Sequence, residues 1–350
     1  MKPRILYVGN LRPGGNGLDR IAILRDQGHA VDGFDTFPYR AAGPRLLRSL
    51  TARWQVGPAV ARFNRDVLQH AAQAPFDVLL VDKGTILRAE TLLRLKAMAR
   101  RNLAIHFTPD AAFVDNRSRQ FEIAVPHYDL LVTSKPFETG AYRAAGAREV
   151  LLVHQGFGPR IDPDLAQDVP AALRSEVVFV GHCQPHYARM LRAAAAAAPL
   201  AVWGPGWPEY AARNAWAKAV VRGPGLYGPD YARALAGAKI ALGLLSKRVP
   251  ETTTTRSFEI PAMGALLLAE RSGDHLALFA EDREAVYFGD AGELAAKLAR
   301  CLADDAARTR IARAGQARAL AEYPAARQFA RITAWLEAAL AARPGLKEPT

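Results

Sequence analysis

Residues 251–270 read ETTTTRSFEIPAMGALLLAE, and this stretch decides the fold. Four threonines make a polar loop, the segment from Arg256 reads as a helix start, and Ala265–Ala269 follows as an apolar run of strand length. Loop, helix and buried strand within so short a stretch belong to a sheet with helices on its faces. Pro261 lacks an N–H, which keeps the helix short or kinked. A helix start presents unpaired N–H groups and partial positive charge, which suit a phosphate. Glu251 and Glu259 flank Arg256 and suit hydroxyl groups, whose hydrogen bonds to a carboxylate are charge-assisted. Phosphate and vicinal hydroxyls together describe a nucleotide sugar. The plainer alternative makes Arg256 and Glu259 an exposed helix pair worth about 0.2–0.5 kcal/mol. The apolar surroundings favour a ligand, because charged groups on a largely buried helix need partners. Lys247 and Arg248 add positive charge just upstream.

Outward from this stretch, short apolar runs alternate with helical periodicity. In the first half the strand-like runs are Ile5–Val8, Ala30–Phe34, Val78–Val81, Leu103–Phe107, Leu130–Thr133 and Val150–Val153. In the second they are Val177–Val180, Leu200–Trp203, Ile240–Leu245, Leu266–Ala269 and Ala285–Phe288. Strands alternating with helices predict parallel, doubly wound sheets. The run FGPRIDPDLAQDVP, 157–170, carries three prolines and little periodicity and reads as a linker. The chain therefore divides into 1–157, a hinge at 158–174, a second α/β domain at 175–324 and a helical tail at 325–350. Ligands of such sheets bind beyond the strands' carboxyl ends, which places the expected site in the cleft between the domains.

The length of 350 residues suits two such domains, and a composition half hydrophobic and 23% charged is globular. The opening MKPRILYVGN has no secretory pattern, and no run approaches the roughly 18 apolar residues of a membrane span. Two cysteines, Cys183 and Cys301, make no disulfide framework and fit a reducing cytoplasm. The net charge of +12 asks for an anionic partner, yet its cations are spread along the chain without a nucleic-acid motif. Nucleic acid is not expected; phosphorylated small molecules fit, and peripheral attraction to anionic lipid stays open.

Other loops carry candidates. GNLRPGGNG, Gly9–Gly17, lacks the G-K-[ST] ending of a P-loop. It nearly fits a dinucleotide fingerprint through Gly15, Gly17 and Asp35, but Arg20 stands where the third glycine belongs. What remains is a glycine loop facing a cleft (Gly14, Gly15, Asn16) or a tight turn. HFTPD, His106–Asp110, sets an imidazole and a carboxylate after a strand as general base or substrate anchor; alternatively Asp110 caps a turn and His106 is half-buried. His182, Cys183 and His186 are too few for a closed zinc site, and no metal is expected. Gly181 and Arg189 flank the same loop, and RGPGLYG, 222–228, reads either as a base-contacting loop or as a turn.

These motifs resemble the GT-B-fold glycosyltransferases called glycosyl transferases group 1, in particular the CgeB-like branch. The resemblance is carried by VVFVGHCQPHYARML, DYARALAGAKIALGLL and ETTTTRSFEIPAMGALLLAE, with the E-x7-E spacing of Glu251 and Glu259. In the first half HFTPD and YDLLVTSKPFETGAYRAAGAREVLLVHQGF are more loosely similar. The likeness implies two Rossmann-like α/β domains, the first on the acceptor side and the second binding the donor, with the tail helix packing back on the first. It implies hexosyl transfer from a UDP-, GDP- or dTDP-sugar to an unidentified acceptor, with no cofactor. By carry-over Glu259 binds the ribose, Glu251 the donor sugar, and Arg256 with Lys247 or Arg248 the diphosphate. Thr255, Ser257, Gly181 and Arg189 join the donor site, Gly223 and Tyr227 reach the base, and His106 and Asp110 face the sugar or acceptor. The Gly-x-Pro motif of the group is replaced by Pro261-Ala262-Met263-Gly264. A nucleotide-sugar epimerase of the same fold, and a non-catalytic binding module, are the rival readings.

Overall fold

The computed structural model describes residues 2–13, 15–41 and 54–342. Contacts divide the chain into two compact units, Met1–His154 with Ala325–Thr350, and Gln155–Pro324. Among the described residues twelve strands form two parallel sheets of six.

Unit 1 contains β1 (Arg4–Gly9), β2 (Ala30–Asp35), β3 (Val78–Asp82), β4 (Leu103–Thr108), β5 (Leu130–Thr133) and β6 (Val150–Leu152), in the order β2-β1-β3-β4-β5-β6. Every residue of β3 and β4 is buried, as expected for parallel strands covered on both faces. The strand period of two sorts the core. Leu79, Val81 and Ala104 meet Val60, Phe63 and Val67 of the helix Pro58–Ala71. Val78, Leu80 and Ile105 meet Ile21, Ile23 and Leu24 of the helix Asn16–Asp26 and, on the same face, Phe329, Ile332 and Leu336. The last three come from the helix Ala325–Ala341, and each contributes about 1.5–3 kcal/mol of apolar burial. Gln27 ties that helix further by donating from Nε2 to Ala326 O at 2.9 Å.

Unit 2 contains β7 (Ser175–Val180), β8 (Leu200–Trp203), β9 (Val221–Gly223), β10 (Ala238–Gly243), β11 (Leu266–Glu270) and β12 (Val286–Phe288), in the order β12-β11-β10-β7-β8-β9. The apolar runs of the sequence all appear as strands, β10 ending earlier than read, while β9 lies in a segment read as loop. Its three residues end in a glycine and carry too few positions for a period. The proline-rich run 157–170 also differs from a bare linker. Phe157, Ile161 and Val169 are buried in unit 2, and Phe157 N donates to Tyr323 O at 3.1 Å. The unit begins at Gln155, ahead of the hinge at 158–174 and the domain start at 175 read from the sequence.

Each strand order reverses once. In unit 1 the chain starts at β1 and builds to either side, so the switch lies between β1 and β3; in unit 2 it lies between β7 and β10. Diverging helices leave room for a ligand at such carboxyl ends.

Candidate functional site

At the switch of unit 2 the space between strand ends is bridged by one side chain. Arg256 begins the helix Arg256–Ala262, which follows the loop leaving β10. Its Nη1 donates to Val180 O of β7 at 3.3 Å and its Nη2 to Leu244 O, just past β10, at 3.1 Å. The guanidinium lies 5.4 Å from the centroid of the Phe179 ring, a cation–π contact. The backbone leaves room for it only because position 181 is glycine: a Cβ there would stand 2.9 Å from Arg256 Nη1 and 2.8 Å from Phe179 Cζ. Gly204, at the end of β8 with φ +153°, is equally constrained, since a Cβ would come within 1.8 Å of Gly181 O.

The helix spans seven residues, and Thr255 at its N-cap makes no side-chain capping bond. The positive charge here is therefore chiefly that of side chains. Ser257, read as a donor ligand, is corrected by its surroundings: it is buried, and its Oγ accepts from Thr254 N at 3.0 Å. Its hydroxyl meets His275 Nε2 at 2.7 Å, while His275 Nδ1 faces Glu270 O at 2.7 Å. A carbonyl only accepts, so Nδ1 carries the proton and Nε2 accepts from Ser257. Burial holds His275 below its ordinary pKa, consistent with this neutral form. Ser257 thus braces the loop, with its hydroxyl hydrogen committed to His275 and its side chain buried.

The carboxylates divide into three environments. Glu259 Oε2 accepts from Tyr231 Oη at 2.6 Å. Burial raises its pKa, opposed by the Tyr231 hydrogen bond, Arg256, the Thr255 hydroxyl and Arg160. Glu251, half-buried, accepts from Ser246 N on Oε2 at 3.2 Å, and Ser246 Oγ donates to Gln184 Oε1 at 3.1 Å. Glu270, which the sequence reading left out, ends β11 as a buried carboxylate. Its Oε1 accepts from Leu245 N at 2.8 Å and lies 2.9 Å from His186 Nε2, and its Oε2 lies 2.6 Å from Lys247 Nζ. His186 Nδ1 lies 3.4 Å from Arg189 Nη2, which only donates, so Nδ1 accepts and Nε2 donates to Glu270. His186 thereby links Arg189 to the carboxylate that pairs with Lys247. The signal available in the sequence was a glutamate closing an apolar strand run, a costly place for a charge without partners.

Other expected donor residues are more dispersed. Arg248 is exposed, and its N donates to Ser246 Oγ at 3.2 Å. Gly223 closes β9, and Tyr227 stands 71% exposed directly before the helix Gly228–Ala236, which carries Tyr231.

In unit 1 the switch is already filled. Arg20 is buried, pairs with Asp82 at the end of β3, and lies 4.7 Å from the Phe107 ring centroid; Tyr7 Oη donates to Asp82 Oδ2 at 2.7 Å. Burial and Asp82 together hold the Tyr7 phenol well above its ordinary pKa. The side chain in place of the fingerprint's third glycine thus fills the close helix–strand contact that the fingerprint keeps clear. Asp35 is committed too, with Oδ1 accepting from Leu11 N and Phe37 N, both at 2.9 Å. Gly15 caps the helix Asn16–Asp26, Asn16 begins it, and Gly14 lies outside the described residues.

His106 is corrected in position and role. It lies within β4, not beyond it, with no exposed surface and its ring 4.4 Å from that of Phe121. Nε2 is 3.1 Å from Lys83 O and so carries the proton, and burial pushes the pKa down to about 4. A neutral imidazole sealed in the core touches no substrate. Asp110 is placed differently, about one-third exposed and paired with Lys83. A small polar pocket in the same unit is lined by Arg40, Gln55, Thr85, Asp115, Asn116 and Arg117, among others.

Residues 184–334 match the family described as glycosyl transferase-like. This likeness covers somewhat less than half of the chain. No curated protein matches it in sequence. Among solved structures, Anabaena HepE in complex with UDP and glucose is 18% identical with a TM-score of 0.64, covering 96% of this chain and 100% of its own. The same protein with UDP-glucose gives 18% and 0.65 at the same coverage. Sucrose-phosphate synthase from Thermosynechococcus elongatus gives 15% and 0.68, again over 96% of this chain and 100% of its own. At such identities the likeness establishes the fold, and the α/β class with GT-B architecture expected from the sequence is borne out. The segment matching the glycosyl transferase-like family contains Arg256, Glu251, Glu259, Glu270 and Tyr231. Among the described residues no helix is long and apolar enough to cross a membrane.

Proposed function

We propose that the protein transfers a hexosyl group from a nucleoside-diphosphate sugar to an acceptor hydroxyl or other nucleophile. The observation that carries this reading is Arg256 bridging β7 and β10 at the switch of unit 2, with Glu259 three positions on. As the glycosyl–oxygen bond breaks, the departing diphosphate takes the electron pair, and fixed cations stabilise that charge most when they need not reorganise. Arg256 is held by two carbonyls and a ring face, Lys247 pairs with Glu270, and Arg189 is linked to that pair through His186. The reading assigns charge neutralisation to these side chains and calls for no protein-bound metal. Glu259 accepts from the ribose hydroxyls and Glu251 from the donor sugar, with Gly181 giving the backbone close approach and Gly223 and Tyr227 nearest the base.

The acceptor side is assigned to unit 1. With inversion of configuration, Asp110 takes the acceptor's proton; with retention, it positions the acceptor. The two free cysteines favour a cytoplasmic location, and the quoted motifs favour the CgeB-like branch.

Calorimetric titration of UDP, GDP, dTDP and ADP, with and without chelator, into wild type and Glu259→Ala tests the reading. One nucleotide should bind the wild type irrespective of chelator and bind Glu259→Ala at least about tenfold more weakly. Folded wild type that binds none of the four would refute it.

A further inference from the structure

We propose that Tyr231 is a positioning residue of the donor site, holding the Glu259 carboxylate in the one orientation and charge state that accepts nucleotide hydroxyls. The inference rests on the reading of Glu259 given above and adds a residue to it. Tyr231 comes from the helix Gly228–Ala236 and Glu259 from the helix Arg256–Ala262, so their 2.6 Å bond joins two separately supported elements. The Tyr231 ring packs against the unit 2 core, which fixes the hydroxyl's place.

The chemistry of a carboxylate gives that bond a purpose. An ionised carboxylate only accepts, at two oxygens with about four lone-pair sites. The phenol fills one site on Oε2 and the Thr255 hydroxyl a further one, which restrains the carboxylate and leaves about two sites for a vicinal diol. A protonated carboxyl would turn one oxygen into a donor, and a diol bound through two O–H donors would lose a partner. Burial pushes Glu259 towards that unsuitable form. The groups opposing it are Tyr231 from its helix, Arg256 and Thr255 beside Glu259, and Arg160 from the segment that opens unit 2. Of the side-chain hydrogen bonds to Glu259, the Tyr231 bond pulls the pKa down most. Tyr231 therefore orients the acceptor atoms and keeps them anionic through the same contact.

A plain tether between helices would share the geometry, so the test reads charge state and hydroxyl recognition as well as affinity. The nucleotide that binds wild type is titrated into wild type and Tyr231→Phe from about pH 5 to pH 8, alongside its 3′-deoxy form and, for a ribonucleotide, its 2′-deoxy form. Phenylalanine keeps the ring and its packing, and a thermal melt checks that the variant is folded. The expected result is a roughly tenfold weaker affinity at neutral pH, the scale of one charge-assisted hydrogen bond. The acid-side loss of binding should begin at higher pH in Tyr231→Phe, because the carboxyl has lost a group that lowered its pKa. Discrimination against the deoxy forms should shrink as well. Unchanged affinity, or a uniform weakening with the same pH limb and the same discrimination, would overturn the inference while leaving the donor site standing. Failure of wild type to bind any nucleotide would overturn both.

Discussion

His106 supplies the sharpest quantitative test, because it separates a core histidine from a catalytic one. Its ring has no exposed surface and its pKa falls from the ordinary 6.5 to about 4. As pH drops below about 6.5 the unfolded chain takes up a proton at this position, whereas the folded chain does so only near 4. The unfolded state thus binds more protons across that window, and stability falls with pH until it levels off below the folded value. The full difference is worth about 3 kcal/mol, of which about 2 kcal/mol is lost between pH 7 and pH 4.5. His29 and His275 are pushed down by burial as well and act with the same sign, so the measurement must be a difference. Urea unfolding of wild type and His106→Leu, followed by circular dichroism at both pH values, isolates one residue. The stability gap between them should shift by about 2 kcal/mol against wild type on acidification. A gap independent of pH would refute the burial argument. A His106 that instead moved the pH profile of turnover, with the gap flat, would restore the catalytic assignment.

Further substitutions probe the two sheet switches. Arg20→Ala strands Asp82 in the core of unit 1 without its cation and should cost about 3–5 kcal/mol, read as a lower urea midpoint. Gly204→Ala drives a methyl into Gly181 O and should lose at least about 2 kcal/mol by the same assay. Arg256→Lys should fold normally but lower kcat by about 10²–10³, since an ammonium cannot reproduce a planar fork across two strand ends.

The scaffold was legible because its strands are buried on both faces and therefore read as unbroken apolar runs, of which Val78–Val81 is typical. Only β9 escaped, having three residues and a glycine-rich exit. The site was half legible. Arg256 and Glu259 stand close enough in sequence for their spacing to carry meaning. Tyr231 lies 28 positions from its glutamate partner, and His186 lies 84 from Glu270. Those pairings are set by which helix follows which strand, so no local pattern announces them. Ser257 shows the opposite failure: a hydroxyl in a polar loop looked available until folding brought His275 to it. Arg20 reads in the sequence as a departure from a dinucleotide fingerprint, and nothing local announces it as one half of a buried ion pair with a residue 62 positions away.

The helix Ala325–Ala341 has a consequence for the time course of synthesis. Its Phe329, Ile332 and Leu336 cover one face of the first sheet, yet unit 2 in its entirety is translated before them. At ordinary ribosomal speeds, about 5–20 residues per second, the first unit waits roughly ten to thirty seconds with an apolar stripe uncovered. Unit 2 has a continuous chain and can close as soon as it emerges. The part of the protein that is made first is thus finished last, and during that interval it is the segment most in need of a chaperone.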